Sequence, residues 1–187
     1  MTKLKKKFIK IIDSHKRIIL KRLYDYKKCS PNYVNWLSDK VVNKYLEVRF
    51  RKISIKEIKK NIKESFNSDN NLLMGIYFKT EQFKYEHVGN IKAQINKIHL
   101  HGDISIMIGE KKYFNQRIAS TAIKIFSKYL FEKLKLQKLS AGAYQQNVYS
   151  LKAFKSAGYK FEARLIKNRI FKNKRYDEVK VYKLKVK

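Results

Sequence analysis

The sequence predicts a mixed α/β or α+β sandwich built around one sheet, and three observations lead there. Apolar residues alternate with polar ones in segments such as His87–Ile98 and Asp103–Ile108, the period of a strand with one face buried. Elsewhere they recur at helical spacing, as in Ile118, Ala119, Ala122, Ile123, Phe126, Leu130 and Leu134. The two kinds of segment follow one another in the order ββ-αα-βββ-α-β-α-ββ.

Residues 5–12 and 17–24 read as two strands joined at Asp13-Ser14-His15, residues suited to a hairpin turn. Ser30-Pro31 opens a helix, serine as N-cap and proline at the first helical position. Trp36, Leu37, Val41 and Tyr45 share one face of it. A second helix starts at Ser54 with the capping-box pattern Ser54-x-x-Glu57 and carries the apolar stripe Ile55, Ile58, Ile62 and Phe66. The polar run Asn67–Asn71 ends it. Strands follow at Leu72–Lys79, His87–Ile98 and, after a turn at His99–Gly102, Asp103–Ile108. Beyond the long helix come a strand at Lys138–Tyr144 and a short helix at Asn147–Ala157 closed by Gly158. Tyr159–Leu165 and Val179–Val186 form the last strands, the latter changing phase near Tyr182–Lys183.

The 187 residues, 44% hydrophobic and 13% aromatic, suit one domain with a sizeable core. No apolar run approaches the roughly 18 residues of a membrane-spanning helix. The N-terminal MTKLKKKFIKII lacks the apolar stretch and cleavage site of a signal peptide, so a cytoplasmic protein without membrane attachment is expected. The single cysteine, Cys29, rules out an internal disulfide and gives no metal-ligand cluster. The formal net charge is +30, from 45 basic and 15 acidic residues, a field that attracts nucleotide phosphates, nucleic acid or an acidic surface. The lysines are scattered through nearly every element, which favours a diffuse field over a dedicated nucleic-acid stripe.

The stretch Asp103–Phe126 reads as strand, polar turn and helix start. The first N–H groups of a helix have no partner within it and, with the helix dipole, make a seat for phosphate. Lys111, Lys112 and Arg117 stand at that seat.

Together with the order of elements, four stretches resemble the GNAT superfamily of acyl-CoA-dependent acetyltransferases. They are His87-Val88-Gly89-Asn90-Ile91, Asp103–Glu110, the turn and helix after it, and Asn147-x-x-Ser150 leading to Ala157-Gly158-Tyr159. The branch resembled includes ribosomal-protein N-terminal acetyltransferases and amino-sugar acetyltransferases. The resemblance covers nearly the whole chain and implies one domain over 1–187, with a central, mostly antiparallel twisted sheet flanked by helices on both faces. It implies acetyl-CoA as co-substrate, with Met107 and Ile108 pairing their backbone with the pantetheine arm. Lys112, Asn115, Gln116, Arg117, Ile118, Ala119 and Ser120 would hold the pyrophosphate, and Asn147 and Ser150 would lie by the pantetheine and thiol. The family pattern Gln/Arg-x-x-Gly-x-Gly/Ala here reads Phe114-Asn115-Gln116-Arg117-Ile118-Ala119, so Arg117 stands at a glycine position. Arg117 must hold the turn with φ in an allowed region, and could add a charged contact to the phosphates. Phe154 stands where many members place the tyrosine that protonates the departing thiolate, which makes Ser150 the candidate acid, with Tyr144 and Tyr149 behind it.

N-acetyl transfer needs a neutral amine and a group or water chain to take its proton. Candidate bases are His99, Asp103 and Glu110, and the residues alone do not choose among them. Glu110 and Asp103 are also candidate anchors for the substrate amine. Arg49 and Phe50, with Tyr144, fall where this fold lines its acceptor cleft, and a guanidinium there suits a phosphate or carboxylate. The expected activity is acetyl-CoA-dependent N-acetylation of a small anionic amine, such as a nucleotide-linked amino sugar. The alternatives are acetylation of a (ribosomal) protein N-terminus, with ribosome contact through the basic surface, and a non-catalytic module of this fold that binds nucleic acid. A monomer or homodimer is expected.

Overall fold

The computed structural model describes residues 3–51 and 53–186. Met1, Thr2, Lys52 and Lys187, which fall within the domain expected over 1–187, lie outside the described residues.

Eight strands are formed: β1 (Lys10–Ile12), β2 (Ile18–Arg22), β3 (Asn71–Lys79), β4 (Tyr85–Asn96), β5 (His101–Ile108), β6 (Lys138–Tyr144), β7 (Lys160–Phe171) and β8 (Lys174–Leu184). The helices are α1 (Tyr33–Ser38), α2 (Ile55–Asn67), α3 (Ile118–Glu132) and α4 (Val148–Ser156). One sheet runs in the order β1-β2-β3-β4-β5-β6-β8-β7. Its neighbours are all antiparallel except β5 and β6, the pair that α3 connects. The expected mixed sheet is therefore present.

The strand alternation sends side chains to two layers. Leu72, Met74, Ile76, Ile91, Ala93 and Ile104 pack against Ile118, Ala122, Ile123 and Phe126 of α3 and Phe154 of α4. On the other face Leu23 and Leu73 pack against Tyr33 and Trp36 of α1 and Ile58 and Ile62 of α2. The capping box of α2 forms as its sequence predicts: Ser54 Oγ accepts from Glu57 N at 3.2 Å and Glu57 Oε2 accepts from Ser54 N at 2.8 Å. Trp36 lies directly over Gly109, where an added Cβ would fall 2.0 Å from the indole, so this glycine lets α1 seat against the end of β5.

Four expectations are corrected. The first strand begins at Lys10, not residue 5, because Lys6 takes a left-handed φ of 54° and its N–H donates to Phe66 O at 2.8 Å. The helix expected through Tyr45 stops at Ser38: Asp39 Oδ1 accepts from Val41 N and Val42 N, and Val41 is 61% exposed. His101-Gly102 belongs to β5 and pairs with Asn96 and Ile95, so the turn closes earlier, at a left-handed Leu100. The last two strands extend to a long hairpin whose two-residue turn, Lys172-Asn173, has φ of 47° and 58°. Its irregularities lie in β7, between Phe161 and Ala163 and between Leu165 and Arg169, and not near Tyr182–Lys183.

Candidate active site

β5 and β6 pair only through His101–Asp103 against Lys138–Ser140. Beyond that, Ile104–Ile108 pairs with β4 alone and Ala141–Tyr144 with β8 alone, so the sheet splits and one edge of β5 is left without a strand partner. The split opens on a cavity of about 650 Å³ under α1 and α2, lined among others by Asn90, Asp103, Met107, Tyr144, Asn147 and Ser150.

At the far end of β5 the chain makes a single 3-10 turn at Lys111–Tyr113 and enters α3. Asn115 and Arg117 both take left-handed φ, 62° and 57°. Arg117 thus holds the turn in the left-handed region, the conformation glycine favours. Two left-handed residues so close together turn the amides toward one side. No backbone N–H from Asn115 to Ser120 donates to another protein group among the described residues. A row of bare amides at a helix start is a receptor for a phosphate pair. The Arg117 side chain is exposed beside it and engages no carboxylate among the described residues. Lys112 does not point its charge there: its ammonium donates to Glu86 Oε2 at 3.0 Å, and Lys111 is likewise held by Asp39 Oδ2 at 2.7 Å. The turn and the bare strand edge leading to it fit the phosphates and extended arm of a coenzyme A thioester.

Across the split, α4 starts at Asn147, whose Oδ1 accepts from Ser150 N at 3.3 Å. This cap fixes the first turn of α4 and leaves the half-buried Ser150 hydroxyl on the cavity wall.

A family model of the acetyltransferase (GNAT) domain matches residues 17–160. The chain belongs to the GNAT acetyltransferase family. No curated protein matches it in sequence. Among solved structures it is similar to a GNAT-family acetyltransferase from Bacillus anthracis, with TM-score 0.76 and 21% identity over 95% of this chain and 98% of that one. It is similar to the microcin C7 self-immunity acetyltransferase MccE in complex with acetyl-CoA and AMP, with TM-score 0.75 and 17% identity over 90% and 93%. A third similar structure is spermidine N-acetyltransferase from Vibrio cholerae in complex with CoA and spermine, with TM-score 0.76 and 18% identity over 90% and 95%.

The cavity draws together Asp103, Met107, Tyr144, Asn147 and Ser150, while Ile108 and Asn115–Ser120 continue toward α3. Asp103 stands on the cavity wall with its side chain 50% exposed; desolvation by the groups around it raises its carboxyl above the usual range, opposed by Lys180 and His101. Tyr144 is buried, its hydroxyl donating to Ile170 O at 3.0 Å and accepting from Arg49 Nη2 at 2.5 Å. Arg49 also donates to Ile170 O at 2.7 Å and stacks 4.2 Å from the Phe50 ring. Arg49 therefore pins the loop before α2 to β6 and β7, with the exposed Phe50 ring against its guanidinium, and both residues stand outside those that line the cavity.

Two candidates stand elsewhere. His99 is exposed in the turn before β5, at the strand's closed end, and the strand from His101 to Ile108 spans about 23 Å at ~3.3 Å per residue. Glu110 Oε1 accepts from Trp36 Nε1 at 2.9 Å and Asn32 Nδ2 at 3.0 Å, facing a smaller depression outside the split. Its carboxylate holds α1 in place.

Sequence reasoning missed the charged wall opposite Asp103. Glu178, 1% exposed, accepts from Arg169 through both oxygens at 2.8 Å and from Asn168 Nδ2 at 2.6 Å, with Lys180 Nζ 3.4 Å away. Burial pushes its carboxyl up, but these donors outweigh it and hold it below the usual range. Lys180 reaches on to Asp103 at 4.0 Å, and Arg169 to Glu47 at 3.1 Å. Gly142 makes room: an added Cβ would lie 2.1 Å from Glu178 Oε1. The alternation Tyr176, Glu178, Lys180, Tyr182 is the signal that marks these residues as one strand face.

Proposed function

We propose that this GNAT chain transfers acetyl from acetyl-CoA to the primary amine of a small anionic acceptor held in the cavity under α1 and α2, a nucleotide-linked amino sugar being the example that fits. The observation that carries the reading is the split between β5 and β6, with a bare amide turn at one end and a carboxyl-bearing cavity beside it. The solved complexes of MccE with acetyl-CoA and AMP and of spermidine N-acetyltransferase with CoA and spermine support a thioester donor and a small acceptor on this fold.

Acetyl-CoA supplies an activated acyl group on a thiol that leaves readily. The β5 edge from Ile104 to Ile108 would align the extended arm, and the amides of Asn115–Ser120 the pyrophosphate, with Arg117 adding charge. Asp103 receives the ammonium of the acceptor and takes its proton; a carboxyl raised by desolvation is the better base. The Ser150 hydroxyl returns a proton to the thiolate. Lys92 and Arg51 line the same cavity with no ion pair among the described residues, and suit the acceptor's negative charge.

Thiol release from acetyl-CoA tests this with UDP-linked amino sugars, N-terminal peptides and polyamines as acceptors. Turnover on the amino sugars is expected; turnover on peptides alone would replace the acceptor class, and none on any amine would contradict transferase activity toward these classes.

A further inference from the structure

Asn90 sits on β4 opposite Met107, on the cavity face, and is 6% exposed. Its side-chain Nδ2 is buried with no hydrogen-bond partner among the described residues. A buried donor left unpaired costs about 1–3 kcal/mol, so a native position that keeps one calls for a reason.

The amide's orientation is fixed by its neighbour. His87 Nδ1 accepts from Ser30 N at 2.8 Å, so that ring nitrogen carries no hydrogen. The proton therefore lies on Nε2, which is 3.0 Å from Asn90 Oδ1 and donates to it. The oxygen arm of the carboxamide must face His87, and a flipped amide would set donor against donor. The imidazole cannot turn: Tyr77 stacks on it at 5.0 Å, and Trp36 and Tyr33 meet it edge-on at 5.2 and 6.0 Å. Desolvation also holds it neutral, its pKa depressed to about 4. The free arm of the carboxamide is thus a donor held on the side of Asn90 away from His87, in a wall of the acceptor cavity.

Asn90 lies on the face that packs against α1 and α2, opposite the face covered by α3, whose start carries the phosphate turn. The unpaired donor therefore belongs to the acceptor's side of the site. We propose that Asn90 reads the acceptor: its amide donates to a carbonyl or hydroxyl oxygen carried close to the reacting amine, and His87 is the positioning residue that aims it. A protonated polyamine offers only donors at its nitrogens and cannot satisfy this group. The acceptor class is an oxygen-bearing amine, such as an amino sugar or an amino-acid amide. This inference rests on the N-acetyltransferase reading above.

The test compares kcat/KM for glucosamine 1-phosphate and alaninamide with that for 1,4-diaminobutane, in the parent chain and in Asn90→Asp. That substitution keeps an oxygen toward His87 and removes the donor. The parent should prefer an oxygen-bearing amine, and Asn90→Asp should reduce the preference by about tenfold, or 1.4 kcal/mol. His87→Gln, which can still donate to Asn90, should retain most of the preference, and His87→Leu should lose it. Calorimetric binding of acetyl-CoA checks that each variant keeps its cofactor site. If Asn90→Asp does not fold, the parent's preference decides alone: diaminobutane used as well as the oxygen-bearing amines overturns the inference. An unchanged preference in a folded Asn90→Asp overturns it too, leaving the transferase reading intact. Failure of the parent to bind acetyl-CoA would overturn both.

Discussion

Arg169 grips Glu178 with two parallel hydrogen bonds, Nε to Oε2 and Nη2 to Oε1, each 2.8 Å, and the carboxylate beneath is 1% exposed. The pair locks the β7–β8 hairpin onto the cavity wall, and Asn168 and Lys180 complete the enclosure. Removing the guanidinium leaves a buried charge held by Lys180 and the Asn168 amide alone among the described residues. Arg169→Ala should lose about 2–4 kcal/mol in chemical denaturation at pH 7, less at the low end because Lys180 stays. Glu178→Gln should cost less, since it removes the charge that needs a partner.

Arg117 holds a left-handed φ of 57° at the start of α3, which costs a non-glycine residue about 1 kcal/mol or more. Arg117→Gly should raise stability by about 1 kcal/mol and weaken acetyl-CoA binding roughly fivefold through loss of the charge. Thermal melting and calorimetry read the two effects separately. A rise in affinity would mean that the side chain obstructs the turn.

The buried His87 sets a pH dependence of stability. Its folded pKa of about 4 lies below the ordinary 6.5, so between these values the unfolded chain binds a proton that the folded chain refuses. Stability should therefore fall as pH drops from about 6.5 to 4, by about 3 kcal/mol in all, with the full contribution present above 6.5. Denaturation midpoints at pH 4.5, 5.5 and 7 measure the slope, which His87→Gln should flatten.

Ser150 offers a hydroxyl on the cavity wall while its N–H is fixed by Asn147. Ser150→Ala should reduce turnover at least about tenfold with little change in acetyl-CoA affinity, as expected for a group that acts on the departing thiolate. Equal turnover in the variant would remove it from the mechanism.

What the sequence makes legible is what local chemistry determines. The Ser54–Glu57 capping box, the alternation along Ile91–Ile95 and Ile104–Ile108 and the apolar face of α3 are each specified by residues a few positions apart, and each forms. The hairpin of β7 and β8 was harder to read because β7 is an exposed edge carrying Lys167 at φ 53° and two register shifts, so no clean period of two survives there. In the site, Asp103, Met107, Asn147 and Ser150 are findable because the strand and turn around them carry the pattern. Glu178 and Asn90 are harder to find: the alternation along β8 marks Glu178's face but not its partner Arg169 on β7, and the His87–Asn90 contact within β4 depends on a register shift at Val88. His99 illustrates the converse: a suitable imidazole one turn short of the strand lies at its closed end, while His101 enters the ladder.

The central claim is that the split between β5 and β6 and the bare amides of Asn115–Ser120 form an acetyl-CoA site. Calorimetric titration of acetyl-CoA into the purified protein tests it most directly. The account predicts saturable one-to-one binding with a dissociation constant of roughly 1–100 µM, about 5.5–8 kcal/mol, weakened in Arg117→Gly. Absence of binding at millimolar acetyl-CoA would contradict it.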